Sequence, residues 1–513
     1  MRCKLKNQQG AALVIVLALA IIAGILGFAA MSVAENQTIL VNRHQQRERA
    51  LHFAEAGIHR YMAELNDDLD FYTTGASTAM QNVDTALEDG YYKLQVITPS
   101  TSNPYVTIRS TGWPANSDIK RTVEAKLYKK TTLSNLITAN VGESRIDYFN
   151  RFLRGDVVNG PLHINGNLIT NGHTGDGVDG PIFKDKVTYS GEWIRESTPV
   201  TAGDTTTFLN GTPVRVESMN MPPISESLES KTDSGYVYTG RTCIYINGST
   251  LKIRNKASST IQTKSLPTNG IIYVKGGVGD KWHKDTANVF VSGNLDGRLT
   301  IVAENNIYIT AFDPTDWDRP AGNNTSPMAK SGTGGITYAG LNMAGVSDKA
   351  SLAEALKNCD DMLGLIANKD VVILHKNWPK QSTDSPAYYW LGWGPYGKGY
   401  GNYNDVAPYN MNIHASIYAV TGSFRYEELY EDGKKGWLTV VGSISQYEIG
   451  PVAGFGLNIL DLKILPDPLH TRLSGYGKNY WHDPRLMYDA PPNFLESISS
   501  GWEIIEWRET SNP

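Results

Sequence analysis

An uninterrupted apolar run lies near the start of the chain and passes into an amphipathic helical pattern. Residues 11–34 carry no charged side chain over 24 positions, about 36 Å as a helix and enough to span a bilayer. Beyond this run, the apolar residues Leu51, Ala54 and Ile58 recur at steps of three and four. No proline interrupts residues 11–65. The pattern therefore predicts one long helix over residues 11–65, membrane-spanning over its first part.

Alternating apolar and polar residues follow the helix and predict a small sheet. Three runs, Tyr91–Thr98, Tyr105–Thr111 and Ile119–Tyr128, show this alternation and are separated by Pro, Asn, Gly and Ser. Residues 66–130 are therefore predicted to form an antiparallel meander.

Beyond residue 130 the chain consists of short β-branched runs punctuated by Gly and Asn. A short sequence motif, in which alternating apolar residues are followed by Gly and a small polar residue, occurs at His163–Leu168, Tyr245–Thr250, Phe290–Leu295 and Thr439–Ile444. Tyr273, Phe290 and Ile307 begin similar triplets 17 positions apart, a spacing that suits one turn of a parallel β-solenoid. We predict a β-solenoid-like domain over residues 131–465, with a β-sandwich that uses Gly turns as the alternative.

Two stretches interrupt this pattern. Residues 310–361 are polar and Gly-rich and end in a helical piece at Ser347–Leu356, whereas residues 378–410 are rich in Tyr and Trp. Both are predicted to be insertions, and residues 466–513 are predicted to cap the last coil. The fold class expected for the whole chain is α+β and mainly β, because 49 Gly, 24 Pro and 27 Tyr favour short strands and turns.

The charged residues indicate where the parts of the chain are located. Arg2, Lys4 and Lys6 precede the apolar run without an acid, so the positive-inside rule places residues 1–10 in the cytoplasm and exports the remainder. We expect a single-pass inner-membrane protein whose body is periplasmic or extracellular. The net charge of −5 and the absence of a Lys/Arg-rich run argue against nucleic acid as a partner.

The N-terminal residues resemble a known family. The segments 9–17 (QGAALVIVL) and 49–58 (RALHFAEAGI) are similar to the N-terminal region of PilX-type minor pilins. In that family a prepilin peptidase cleaves after a basic leader that ends in Gly, and the new N-terminus is methylated. The resemblance implies that residues 1–10 are a prepilin leader, that Gly10 is its last residue and that Ala11 is the mature N-terminus. The helix and meander would then form a pilin-like head.

One residue departs from the pilin pattern. Most pilins carry Glu at the fifth mature position, where this chain has Ile15. In the family that carboxylate is thought to pair with a neighbouring subunit's terminal amine, because an unpaired charge inside a bilayer is costly. The large pseudopilin of type II secretion systems, thought to cap its pseudopilus tip, shows a similar departure. The resemblance therefore implies a place at a filament end, and we expect Ile15, Leu17, Glu55 and Gly57 to make the packing contacts of the assembly helix.

Three carboxylates form the densest acidic cluster, at Asp313, Asp316 and Asp318. Oxygen ligands at this spacing can hold Ca²⁺ in an exported protein, although Pro314 and the lack of a Gly turn depart from the EF-hand pattern. A solvated acidic loop is the alternative. No GxSxG, HExxH or P-loop pattern occurs. We therefore expect no catalytic residue and no cofactor, with Ca²⁺ as a weak candidate.

The second insertion carries a dense group of aromatic residues. They include Trp390, Trp393, Tyr396 and Tyr400, with Gly residues between them. Flat rings on a surface loop can stack on the faces of sugars or grip a partner protein. The alternative is a loop that folds onto itself and buries its rings.

The cysteines allow one disulfide bond. Cys3 lies in the predicted leader, which leaves Cys243 and Cys359 in the mature chain. Because an exported protein meets an oxidising compartment, we predict that these two residues pair.

Taken with the resemblance, these patterns predict a minor pilin or pseudopilin-like subunit of a type IV pilus or type II secretion filament. Its expected roles are initiation of filament assembly, tip capping or adhesion. The expected partners are other pilins, the prepilin peptidase, the inner membrane and a surface glycan. The alternative is a membrane-tethered glycan-active enzyme or glycan-binding scaffold on a β-solenoid.

Overall fold

The computed structural model describes residues 9–141, 156–171, 181–196, 207–224, 227–256, 258, 260–315, 332–375, 406–427, 434–455, 472–495 and 501–510. These residues belong to two compact units. The head unit comprises Met1–Thr98, Tyr105–Tyr128 and Trp502–Pro513, and the body unit comprises Pro99–Pro104 and Lys129–Gly501. The mainly β architecture with a long N-terminal helix is confirmed.

The described helices are α1 (Gln9–Asp67), α2 (Gly75–Met80), α3 (Ser227–Lys231) and α4 (Lys349–Leu356), with 3₁₀ turns at Phe71–Thr73, Thr132–Ser134, Ser234–Tyr236 and Pro484–Met487. The described strands are β1 (Thr85–Leu87), β2 (Gly90–Ile97), β3 (Val106–Pro114), β4 (Arg121–Lys130), β5 (Ile137–Val141), β6 (Val157–Asn159), β7 (Leu162–Ile164), β8 (Leu168–Asn171), β9 (Ile182–Phe183), β10 (Val187–Tyr189), β11 (Trp193–Glu196), β12 (Val214–Arg215), β13 (Val237–Thr239), β14 (Thr242–Gly248), β15 (Thr250–Asn255), β16 (Gln262–Ser265), β17 (Ile271–Lys275), β18 (Val289–Leu295), β19 (Arg298–Ala303), β20 (Ile307–Ile309), β21 (Thr333–Tyr338), β22 (Met362–Ala367), β23 (Val371–Ile373), β24 (Asn410–Ala419), β25 (Phe424–Tyr426), β26 (Lys434–Glu448), β27 (Ala453–Phe455), β28 (Arg472–His482) and β29 (Gly501–Thr510).

The head unit packs the second half of α1 on an antiparallel sheet. Strands β1 to β4 pair with their sequence neighbours, and β29 lies beside β4. The helical stripe predicted from the sequence is the buried one, since Ala54, Ile58 and Leu65 have no exposed surface. They join alternate residues of β2, β3 and β4 in one apolar core. The predicted helix and meander are therefore confirmed.

The last strand belongs to the head unit. Trp502 in β29 is buried, its backbone N–H donates to the Asn66 side chain at 2.9 Å, and its indole N–H donates to the Leu69 carbonyl at 3.0 Å. The prediction that residues 466–513 cap the last coil is therefore wrong for β29. Trp502 and Ile504 alternate with the exposed residues Glu503 and Ile505, which indicates a strand. No local pattern shows which sheet this strand joins.

Most strands of the body unit stack as parallel pairs in three columns. The first column, from end to end, is β12, β10, β7, β5, β26, β24, β22, β19, β17 and β13. The second is β9, β6, β28, β26, β24, β21, β18 and β14, and the third is β14, β18, β20, β23 and β25. Parallel stacking favours the predicted coils over an antiparallel sandwich.

The chain enters this stack in its middle. From β5 it steps through β7 to β10 in coils of 25 residues, pairing Ile137 with Leu162 and Leu162 with Val187. After β12 it resumes at the other end with β13 and steps back until β26 pairs with β5. Strands β5 and β26, which lie about 300 positions apart in the sequence, therefore pair in the middle of the stack, with Ile444 beside Ile137.

Two details of the predicted coil pattern are wrong. Phe290 pairs with Tyr308 and not with Ile307, and Tyr273 lies in the first column beside Val302, so the 17-residue period is not the register. The stretch 310–361 is not wholly an insertion, because β21 within it pairs with β18 and β24. The Gly-rich sequence of β21 (TGGITY) concealed a strand, since Gly has low strand propensity.

Candidate functional site

The first half of α1 is exposed and apolar. Among the described residues, α1 is the one helix long and apolar enough to cross a membrane, and none of its most apolar stretch is buried. Large apolar side chains, from Leu13 at 70% to Val41 at 54% exposure, cover it. Water disfavours such a surface, so this half of the helix is suited to a bilayer or to other apolar helices.

The predicted assembly residues separate into two groups. Ile15 and Leu17 are 59% and 61% exposed within the apolar half of α1 and are open to contacts outside the chain. Gly10 and Ala11 lie in the first turns of α1, and cleavage between them stays a prediction. Glu55 is half-buried, and His52 Nδ1 lies 3.4 Å from its carboxylate.

Gly57 faces the sheet of its own head unit. A Cβ atom at this position would overlap the Ser110 hydroxyl and lie 2.8 Å from a ring carbon of Tyr92 and 3.2 Å from a methyl group of Leu94. The glycine therefore lets α1 approach β2 and β3 closely. The expectation that Gly57 contacts neighbouring pilin helices is corrected: its surroundings are intramolecular.

Replacing Gly57 by Leu is expected to lower the free energy of unfolding of the head unit by about 1 to 3 kcal/mol, because the added side chain overpacks the helix-sheet contact. Thermal unfolding of the full chain in detergent, followed by near-UV circular dichroism, measures the change. Gly27→Leu is the matched control, since nothing lies within 4 Å of a Cβ at Gly27. Equal effects of the two substitutions would contradict the packing role.

A charge cluster around the buried Glu124 carboxylate joins three strands of the head unit. The Glu124 carboxylate on β4 accepts hydrogen bonds from Arg109 Nε on β3 at 2.5 Å and from Arg508 Nε on β29 at 2.9 Å. Burial raises the pKa of Glu124, but the hydrogen bonds and charges of the two arginines outweigh it and hold that pKa below its ordinary value. The cluster therefore fixes β29 to the sheet through charge-assisted bonds.

A groove opens on the body unit where the second and third columns diverge. Within β18, Val289, Phe290 and Val291 pair with β20, while the residues after Ser292 pair with β21. The groove has a volume of about 280 Å³ and is lined by Tyr245, Ser292, Gly293, Ala311, Phe312, Asp313, Thr333, Gly334, Gly335, Thr337 and Asn412. Sequence analysis identified only Asp313 of these residues, because the others come from four strands and a loop that pair at long range.

The Asp313 carboxylate is engaged by neighbouring groups of the protein. Its carboxylate accepts the backbone N–H of Thr315 at 2.9 Å and the Thr315 hydroxyl at 2.6 Å, and it lies 2.9 Å from Lys252 Nζ. The Lys252 ammonium group also stands 5.4 Å from the centre of the Tyr245 ring. The charge of Asp313 is thus compensated within the groove wall.

Several predicted site residues lie outside the described residues. These are Asp316 and Asp318 of the calcium hypothesis and the aromatic residues Trp390, Trp393, Tyr396 and Tyr400. Within the described ranges, no group of three or more His, Cys, Asp and Glu residues is arranged to hold a metal ion. Ca²⁺ binding and the aromatic contact surface stay predictions.

The two mature cysteines are free and buried, so the predicted disulfide is not present. Cys243 lies on β14 beside Trp282 and Phe290, and Cys359 lies in the main body core near the end of α4. Burial raises the pKa of both thiols to about 11, which keeps them protonated and unreactive. The number of cysteines in the sequence does not reveal that the two residues lie in different apolar clusters.

The known proteins compared with this chain add little. No protein-family model and no curated protein matches it. Among solved structures, the competence-associated pilin ComZ from Thermus thermophilus is similar at 13% identity, over 91% of this chain and 97% of that chain, with a TM-score of 0.25. A likeness at this level carries no argument about function. What the chain itself presents is a head unit in which a long helix, apolar and exposed in its first half, packs on an antiparallel sheet through its second half.

Proposed function

We propose that this protein is a pilin-like subunit of a pilus or secretion filament, held in the inner membrane by the first half of α1 before assembly. The observation that carries the proposal is the division of α1. Its first half exposes a continuous apolar surface, and its second half is buried on the head sheet. A soluble protein gains nothing from such a surface, whereas a bilayer or a bundle of like helices covers it.

The finer proposal concerns processing and position. The prepilin peptidase removes residues 1–10 after Gly10, and Ala11 becomes a methylated N-terminus. Ile15 offers no carboxylate to a neighbour's terminal amine, so the subunit fits best at a filament end as a minor pilin that primes assembly, caps the tip or adheres. Gold labelling at regular intervals along whole filaments would contradict the end position.

Gly10→Val is expected to block processing, because the peptidase must accommodate the residue before the scissile bond. Mass spectrometry of the purified protein should then find the leader retained, whereas the unmodified chain begins at Ala11. Gly24→Val is the control, since it makes the same change in the open apolar half of α1 and should leave cleavage intact. The apolar run ends in the small residues Ser32, Val33 and Ala34, which a secretory signal peptidase could read. A mature N-terminus at Glu35, in cells with or without the prepilin peptidase, would therefore overturn the proposal.

We propose no catalytic activity for the body unit. The rival glycan-active enzyme calls for several carboxylates and a basic residue along one exposed face. Support for the non-catalytic proposal is that the described groove holds one carboxylate, Asp313, neutralised by Lys252. Arg298, a basic residue of β19, is likewise engaged, since it donates paired hydrogen bonds to the Asp489 carboxylate at 2.7 Å.

A further inference from the structure

The groove on the body unit has the size and openness of a binding site for a small part of a ligand. Its volume of about 280 Å³ is near the lower end of the ~300–1,000 Å³ typical of ligand pockets. Its lining includes three glycines, Gly293, Gly334 and Gly335, which contribute backbone and no side chain of their own. A ligand entering it would meet both backbone and side-chain polar groups.

The polar groups that face the groove include unused hydrogen-bonding capacity. Among the described residues, the Asn412 amide, the Thr333 hydroxyl and the Tyr245 hydroxyl have no hydrogen-bond partner. Thr337 Oγ1 accepts from the Asn294 amide at 2.9 Å, which leaves its own proton to donate. An apolar ligand would bury these groups without partners, at a cost for each one.

The charges and the strand pairing around the groove argue against ionic ligands and against an added peptide strand. Lys252 Nζ lies 2.9 Å from the Asp313 carboxylate, so the described lining residues leave no uncompensated charge to select an ionic ligand. An added peptide strand would need a free sheet edge, but β18 is paired with β14 and β21, and β21 is paired with β18 and β24. The remaining class is neutral and rich in hydroxyl groups.

Aromatic surface completes the match to a sugar. Tyr245, a partly exposed residue of β14, lines the groove and offers aromatic surface there, and the buried Phe312 lies behind the lining. A pyranose presents apolar C–H faces and a rim of hydroxyls, so it can cover aromatic carbon while it bonds with amide and hydroxyl groups. We propose that this groove binds one ring of a neutral saccharide, with the rest of the glycan continuing along the surface. The inference goes beyond the pilin-like role and does not depend on it.

Calorimetric titration of the full chain, in a detergent without a sugar headgroup, tests the proposal. The probes are maltotriose, cellotriose and N,N′-diacetylchitobiose, with trigalacturonic acid as the anionic comparison. At least one neutral probe is expected to bind saturably with a Kd of about 1 mM or tighter. Tyr245→Ala is expected to weaken that binding about tenfold and Asn412→Ala about fivefold.

Matched controls separate the groove from the rest of the surface. Tyr447→Ala and Asn247→Ala remove the same residue types from exposed positions on β26 and β14 that do not line the groove, and should leave Kd unchanged. Thr333→Trp, at an exposed position on the rim, should block binding by filling the groove even if Tyr245→Ala does not fold. No saturable binding of any neutral probe, binding of trigalacturonic acid alone, or equal losses in the controls would overturn the proposal. Processing at Gly10 would be unaffected by any of these outcomes.

Discussion

Replacing Arg485 by Met is expected to lower the free energy of unfolding of the body unit by about 3 to 5 kcal/mol, the usual loss when one partner of a buried ion pair is removed. Arg485 is 4% exposed, and its guanidinium group donates to the Asp483 carboxylate at 2.6 and 3.0 Å. It also donates to the backbone carbonyl oxygens of Cys359 at 2.5 Å and Asp361 at 2.9 Å. Met has similar length but leaves a buried carboxylate and two buried carbonyl groups without these donors.

Guanidinium chloride unfolding of the full chain in detergent measures this loss. Arg298→Met is the matched control, because Arg298 also binds an aspartate through two hydrogen bonds, to Asp489 at 2.7 Å. Both side chains of that pair are more than a third exposed, so its loss should cost about 1 kcal/mol or less. Equal losses for the two variants would show that burial of the Arg485 pair contributes nothing.

Replacing Gly442 by Ala is expected to destabilise the body unit by about 2 to 5 kcal/mol, through backbone strain together with overpacking. Gly442 has φ +150°, a conformation that L side chains rarely adopt, and lies where β26 passes from the second column into the first. A Cβ atom there would overlap the Ala415 carbonyl oxygen on the neighbouring strand and lie 2.6 Å from its carbon. Backbone atoms of a paired strand cannot move aside as a flexible side chain does.

Gly248→Ala is the control for this substitution. Gly248 also has a positive φ, +62°, but the nearest atom to its Cβ position is Asp296 Cβ at 3.9 Å. Its replacement should cost about 1 to 2 kcal/mol, the strain of the left-handed conformation alone. The midpoint of chemical unfolding compares the two variants. A smaller loss of stability for Gly442→Ala than for Gly248→Ala would contradict the predicted clash with Ala415.

The head unit was largely predictable because its contacts follow local periods. Apolar residues with the 3.6-residue period of a helix identified Ala54, Ile58 and Leu65 as core residues. The two-residue alternation of a strand identified the inward-facing residues of β2 to β4. The role of Gly57 was not visible, since a glycine in a helix signals neither a sheet contact nor a neighbouring subunit until the distance to Ser110 and Tyr92 is known.

In the body unit, a repeat signal was present but was misread. In two of the four Gly-containing motifs, the glycine lies where a strand passes from one column of paired strands to another. These glycines are Gly293 and Gly442, and both have positive φ. The 25-residue spacing of β5, β7 and β10 was the true coil length there, and short, irregular runs hid it. The groove was missed for the same reason, because Tyr245, Thr337 and Asn412 meet only through parallel pairing.

The sequence by itself determined the apolar first half of α1, the single long helix, the antiparallel meander and the mainly β character, because each depends on side-chain pattern within one segment. Only the tertiary structure decided that the chain enters the stack in its middle, that β26 closes it against β5, and that β29 returns to the head sheet. It also decided that Cys243 and Cys359 remain apart as free thiols. Pairings between distant strands depend on which backbone edges and apolar faces meet after folding, and a local hydrophobic pattern holds no information about that choice.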